Sequence, residues 1–254
     1  MRRFLTRLFI AGFGFALVGS CLPGSNVPVQ TSGEPIVCIT FDDAHPTVWT
    51  VAFPCMRSVD TNFRATHFCP MIFMDTNVNG TGVTLAHLKV MEAAGWETAG
   101  HTWHHPDLSA LTPDSAEEEI TSCYNYLVRN GLHHASFAYP MGNYNAAIQA
   151  QVAKLFPNIR TAHDYLYTDG VNRKDLGYFA VKGTHTTADI IDRVERARAV
   201  GSPLVIIGFH AVLTDSAPAI STYYSRESIL RGFLQYLKQQ QLPVMTIDSA
   251  MRVL

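Results

Sequence analysis

From Pro35 onward, short apolar runs alternate with stretches whose apolar residues recur every three or four positions. The runs Ile36–Phe41, Ala65–Phe73, Trp96–Ala99, Ala135–Tyr139, Ile159–Ala162, Tyr178–Val181, Leu204–Phe209 and Val244–Ile247 read as strands. Helical patterns lie between them. Thr84 caps Leu85–Ala94 and Gly95 stops it. Thr112 caps a second helix, with Pro113 at its first position, Glu117–Glu119 close behind and Gly131 at its end. Ile120, Cys123, Tyr124 and Leu127 fall on one face of it. Residues 145–156, 188–200 and 226–240 supply further helices. Strand–helix alternation at this spacing predicts an α/β fold: an irregular (β/α) barrel of about seven parallel strands. In such a barrel the side chains at the C-terminal strand ends point into a shared site. No second domain and no fixed-period repeat is visible.

The N-terminus has a different pattern. Arg2, Arg3 and Arg7 precede an apolar stretch, Leu8 to Val18, that is short for a membrane span. Val18-Gly19-Ser20-Cys21 then resembles a bacterial lipobox, in which the cysteine becomes the lipidated first residue. Residues 1–21 are therefore expected to be an export leader, with Cys21 as the lipidation site and attachment to a membrane surface, or with ordinary signal cleavage nearby and no lipid as the plain alternative. Residues 22–34, polar and rich in Gly, Pro and Ser, read as a tether, and 35–254 as the folded domain. Four cysteines remain beyond the leader: Cys38, Cys55, Cys69 and Cys123. Export makes disulfides admissible, and Cys55–Cys69 is the first pair to test, with plain buried thiols as the alternative. The net charge of −2 gives no electrostatic reason to expect a nucleic-acid partner. Eleven histidines make a metal or proton-transfer site worth seeking.

Four clusters sit at strand ends. Asp42 and Asp43 close the first strand, where adjacent carboxylates repel each other unless a cation engages one of them; a local turn is the plain alternative. His101-Thr102-Trp103-His104-His105 follows the third run. On a helical turn, His101 and His105 would share one face. One carboxylate with two imidazoles leaves a coordination position open, as in catalytic rather than structural zinc sites. Ala138-Tyr139-Pro140-Met141-Gly142 and Gly208-Phe209-His210 end two further strands.

Together the clusters resemble the NodB-homology polysaccharide deacetylases (carbohydrate esterase family four), in the subgroup with Phe-Ala-Tyr-Pro-x-Gly at the third motif. That family's motifs, TFDDG, H-[ST]-x-x-H, R-x-P-[YF] and [LI]-x-H, are met in order as TFDDA, HTWHH, AYPMG and GFH. The resemblance covers about residues 35–254. It implies Asp43, His101 and His105 as metal ligands, Asp42 as general base, His210 as general acid and the Met141 backbone N–H as oxyanion donor. It also implies Zn2+, with Co2+ or Ni2+ suited to the same ligands. The implied substrate is an acetylated amino-sugar polymer: peptidoglycan, poly-N-acetylglucosamine or a chitin-like chain. His45, Tyr139, Pro140 and Phe209 are candidates to line the substrate cleft.

Four positions depart from the pattern. Ala44 replaces a glycine, Met141 an aromatic, and Gly208 a branched residue that usually helps wall the acetate pocket. Ala138 stands where many members carry the arginine that orients the base. Arg160, on the following strand, is the expected substitute, pairing with Asp42 and keeping it ionised. His67 is read as a core variant, and His104 as facing away from the metal. Two other functions stay open: an O-acetyl esterase on a glycan such as xylan, and a non-catalytic glycan-binding protein of the same fold.

Overall fold

The computed structural model describes residues 33–75 and 82–254. The leader, Cys21 and nearly all of the expected tether lie outside the described residues. In chain order, the first half comprises β1 (Ile36–Phe41), α1 (Phe53–Val59), β2 (Ala65–Cys69), α2 (Ile72–Asp75), α3 (Leu85–Ala93), β3 (Glu97–Gly100), α4 (Pro113–Arg129), β4 (Ser136–Ala138) and α5 (Ala146–Leu155). The second comprises β5 (Asn158–Arg160), β6 (Phe179–Ala180), α6 (Thr187–Ala199), β7 (Leu204–Phe209), β8 (Ala211–Leu213), β9 (Tyr224–Arg226), α7 (Glu227–Gln239) and α8 (Ile247–Val253).

Seven strands form one parallel sheet in the order β5-β4-β3-β2-β1-β7-β6, curled into a half-barrel. A lone bridge from Arg160 to Leu176 lies at the β5 edge. Every residue of β1 and β7 is buried, as expected where both faces of a parallel strand are covered. Side chains alternate between two cores. Ile36 and Cys38 face inward with Phe68, Ala99, Ala138, Leu204 and Ile206. Val37, Ile39, Phe41, Val205, Ile207 and Phe209 face the helices. The register carries this alternation past the strand ends, because Thr40 lies opposite Gly208 and Phe41 opposite Phe209. Asp42 and His210 therefore emerge on the inner side of one mouth.

The other end is closed by α8, and here the expected eighth strand fails. Val244 makes one isolated bridge to Val37. Thr246 then accepts from the Ser249 amide and starts a helix. The Ile247 amide donates to Thr66 Oγ1 (2.9 Å) and the Asp248 amide to the buried Glu97 carboxylate (3.1 Å). Thr66 also donates to Glu97 at 2.8 Å. Polar groups on the barrel floor thus take the amides that a strand would have spent on its neighbour. The run Ala65–Phe73 is likewise shorter than expected, since β2 ends at Cys69 and α2 begins at Ile72. The Cys55–Cys69 disulfide is not formed: all four cysteines beyond the leader are buried free thiols.

His67 is buried on β2, and neither of its ring nitrogens has a hydrogen-bond partner among the described residues. Burial holds its pKa down to about 4 from 6.5, against the opposing pull of Asp42 and Asp43. A depressed histidine stays neutral in the fold while the unfolded chain takes up a proton. Its stabilising effect is therefore full above pH 6.5 and declines as the pH falls toward about 4. The slope is about 1.4 kcal/mol per pH unit. His67→Phe keeps a ring in place and removes this slope. Urea unfolding at pH 7 and pH 5 is expected to give a smaller stability loss in the variant than in the native chain.

Candidate active site

The chain leaves β1 through a strained turn. Asp43 and Ala44 have φ of 68° and 51°, in the left-handed region. Ala44 accepts there the conformation that a glycine would adopt freely, which costs about 1–2 kcal/mol. Thr102, His105 and Met141 also have positive φ, at 67°, 66° and 57°. Strain of this kind persists only where surrounding structure enforces it, and here it is concentrated in three loops at one barrel mouth.

His101 and His105 do not meet on a helical turn. The segment between them is a loop in which Thr102 and His105 are left-handed and the His105 amide donates to Thr102 Oγ1 at 2.9 Å. The loop is pinned from α4. One Glu119 oxygen accepts from the Trp103 and His104 amides (3.0 and 2.8 Å), and the other lies 2.6 Å from His104 Nδ1. His104 thus faces away from its neighbours in the motif.

The loop delivers both imidazoles to Asp43. Its Oδ1 lies 3.3 Å from His101 Nε2 and 3.0 Å from His105 Nε2. His101 Nδ1 is 2.8 Å from the Ala138 carbonyl, an acceptor, so that nitrogen carries a proton and Nε2 is the atom turned toward Asp43. Burial alone would raise the Asp43 carboxyl. Hydrogen bonds with His101 and His105, and charge on His101 and His210, outweigh this and hold it well below the usual carboxylate range. Asp43, His101 and His105 place one donor atom each within 4.8 Å of the others. Tetrahedral bonds of about 2.0 Å require donors roughly 3.3 Å apart, so these three fit a single divalent cation.

Asp42 is buried beside them. Its Oδ2 accepts from Arg160 Nη2 at 2.6 Å, and its Oδ1 has no partner among the described residues. His210 Nε2 lies 3.8 Å from Asp42 Oδ2 and 3.9 Å from Asp43 Oδ2. The Polysaccharide deacetylase family model matches residues 29–156, just over half the chain. The chain belongs to the polysaccharide deacetylase family. No curated protein matches it in sequence.

Solved structures of this deacetylase family share the fold at low identity. The peptidoglycan deacetylase PdaC from Bacillus subtilis is 17% identical, with 87% of this chain and 91% of that one covered and a TM-score of 0.57. A carbohydrate esterase family four domain of a multidomain xylanase, from the hindgut metagenome of Trinervitermes trinervoides, is 14% identical over 86% and 90%, at 0.56. A mutant of a family-four pseudoenzyme is 15% identical over 86% and 67%, at 0.55.

In this deacetylase-family chain, a cleft of about 760 Å³ opens over the cluster. Asp42, Asp43, His45, His101, His105, Tyr139, Met141, Arg160 and His210 all reach it. Burial lowers the His45 pKa, and its Nδ1 is 2.8 Å from Thr47 Oγ1. Tyr139 stacks on Tyr144 with centroids 4.4 Å apart. Two expected lining residues do not line the cleft. Phe209 is fully buried and stacks on Phe41 at 5.7 Å on the helix side, because strand alternation turns it opposite to His210. Pro140 is buried in the turn below Met141. The sequence analysis missed Tyr178, Lys182, Ile220 and Tyr223, which complete the walls from β6 and the loop before β9. Glu119 was legible only as a helix-start acid.

Purified protein is expected to take up one equivalent of Zn2+ or Co2+ by calorimetry. Asp43→Ala, His101→Ala and His105→Ala should each weaken binding by more than about 100-fold. Glu119→Ala removes no ligand but frees the loop and should cost about 10- to 100-fold.

Proposed function

We propose that the protein is a metal-dependent deacetylase that hydrolyses N-acetyl groups on an exported amino-sugar polymer such as peptidoglycan, poly-N-acetylglucosamine or a chitin-like chain. The observation that carries this reading is the convergence of Asp43, His101 and His105, at the base of a cleft, beside a second, buried carboxylate with one oxygen that has no hydrogen-bond partner among the described residues. A Zn2+ ion held by those three would polarise the acyl carbonyl and acidify the attacking water.

The remaining steps belong to the chain. Asp42 takes a proton from the water through Oδ1 while Arg160 holds the carboxylate in place through Oδ2. The left-handed turn at Met141 presents its backbone N–H to the oxygen that gains charge in the transition state. His210 gives a proton from Nε2 to the departing nitrogen. An amine leaves poorly without that proton, whereas an alkoxide needs it less; a histidine at the cleft therefore favours amide over O-acetyl ester substrates. Tyr139 and His45 supply walls for the sugar.

Acetate release from acetylated glucosamine oligomers, with acetylated xylan in parallel, tests the reading. Zinc-loaded native protein is expected to release acetate from the glucosamine series, and Asp42→Asn to lose about 100-fold or more of kcat. Release from xylan alone would favour the esterase. Binding of either glycan without release would favour a non-catalytic binder.

We further propose that the leader exports the chain and that Cys21 carries a lipid anchor. Cys21→Ser is expected to move the protein from the membrane fraction to the soluble exported fraction; equal distribution of the two forms would overturn the anchor.

A further inference from the structure

Arg160 makes an unusual journey for a cation. The sheet order puts β4, β3 and β2 between its strand and β1, so its contact with Asp42 crosses the barrel interior. Both side chains are only 3% exposed. The guanidinium spends one Nη2 on Asp42, and its Nε has no partner among the described residues. Tyr178 also interacts with it through its hydroxyl, but these polar contacts are not all that fixes its position. Two aromatic rings contribute. The guanidinium carbon lies 4.0 Å from the centroid of Tyr178 and 4.9 Å from that of Phe68. Stacking at this range attracts a desolvated cation through the ring quadrupole.

The Tyr178 ring has its own seat. A Cβ added at Gly208 would lie 2.3 Å from Tyr178 Cδ2 and 2.5 Å from Cε2, closer than carbon atoms tolerate. It would also meet Thr40 Oγ1 at 3.2 Å. Gly208 is in β7, paired with Thr40 of β1 and Ala180 of β6, and it has no positive φ that would require glycine. Its missing side chain is therefore explained by the ring pressed against the backbone. The ring in turn bears on Arg160, and Arg160 on Asp42.

We propose that Tyr178, seated on Gly208, is a positioning residue that holds Arg160 against Asp42 and so sets the aim of the base. This rests on the reading of Asp42 as general base. The same chain of contacts accounts for two departures from the family pattern at once. The arginine is supplied from β5, and the position two before His210 has no side chain, so that the ring steadying that arginine has room.

The test uses zinc-loaded full-length protein on acetylated glucosamine oligomers, with guanidinium 15Nε–Hε signals recorded without substrate. Tyr178→Ala is expected to lower kcat by about 10- to 100-fold, since small misplacements of a reacting group cost that much. KM should change by clearly less than kcat, because Tyr178 acts chiefly through Asp42 although its ring also reaches the cleft wall. Tyr178→Phe keeps the ring face and should restore kcat to within about threefold of native. Gly208→Ala should reproduce Tyr178→Ala, and the double variant should fall no further than either single one. The Arg160 signal should move in Tyr178→Ala and Gly208→Ala but not in Tyr178→Phe. The proposal is overturned if Tyr178→Phe falls as far as Tyr178→Ala, if the two losses multiply, or if the Arg160 signal stays put when the ring is removed. Absence of acetate release by native protein would instead sink the deacetylase reading, and the signal comparison would still judge the clamp.

Discussion

Two neighbouring carboxylates stand at the mouth of an apolar half-barrel, and the site is organised around compensating each from a different direction. Asp43 is met by two imidazoles carried on one loop. Asp42, the residue before it, is met by a buried guanidinium from the far side of the interior. Asp42 is buried and would not be tolerable alone, since an unpaired buried carboxylate costs several kcal/mol, whereas Asp43 is partly exposed. Because different partners serve them, the two carboxylates can do different work: one presents a lone pair beside two nitrogens, and the other keeps one buried oxygen without a hydrogen-bond partner among the described residues.

This arrangement reaches deep into the fold. The parallel sheet brings β1 between β2 and β7, so the Asp42-Asp43 turn is flanked by the strand that carries Phe68 and the one that carries Gly208. The histidine loop is held by Glu119 from α4, and His101 is oriented by the carbonyl of Ala138 at the end of β4. Left-handed residues occur in all three loops that meet there. The floor at the opposite end, tied by Glu97, Thr66 and the amides of α8, closes the interior that Arg160 has to cross.

Much of this was legible in the sequence. β1 and β7 are largely apolar runs and match their expected bounds, and the capped helices fall within a residue or two of expectation. The Asp, His and His cluster follows from motif spacing and strand ends. Other parts depend on contacts that no local pattern encodes. The run at Val244–Ile247 has strand composition, but Thr66 and Glu97 capture its amides and start a helix. Phe209 could have been excluded from the cleft by period-two alternation, since His210 already claims the inner face. The spacing of His101 and His105 suggests a helical turn, whereas a loop with two left-handed residues produces the same convergence. The Tyr178 seat was hidden because it is made by an atom group that Gly208 lacks.

The account depends above all on three side chains sharing one ion while Asp42 stays off it. A crystal structure of the zinc-loaded protein, with anomalous data at the zinc edge, tests this most directly. The account predicts one strong peak bonded by Asp43 Oδ1, His101 Nε2 and His105 Nε2, with Arg160 still on Asp42 Oδ2. A peak elsewhere, or one that draws in Asp42 and releases Arg160, would contradict it.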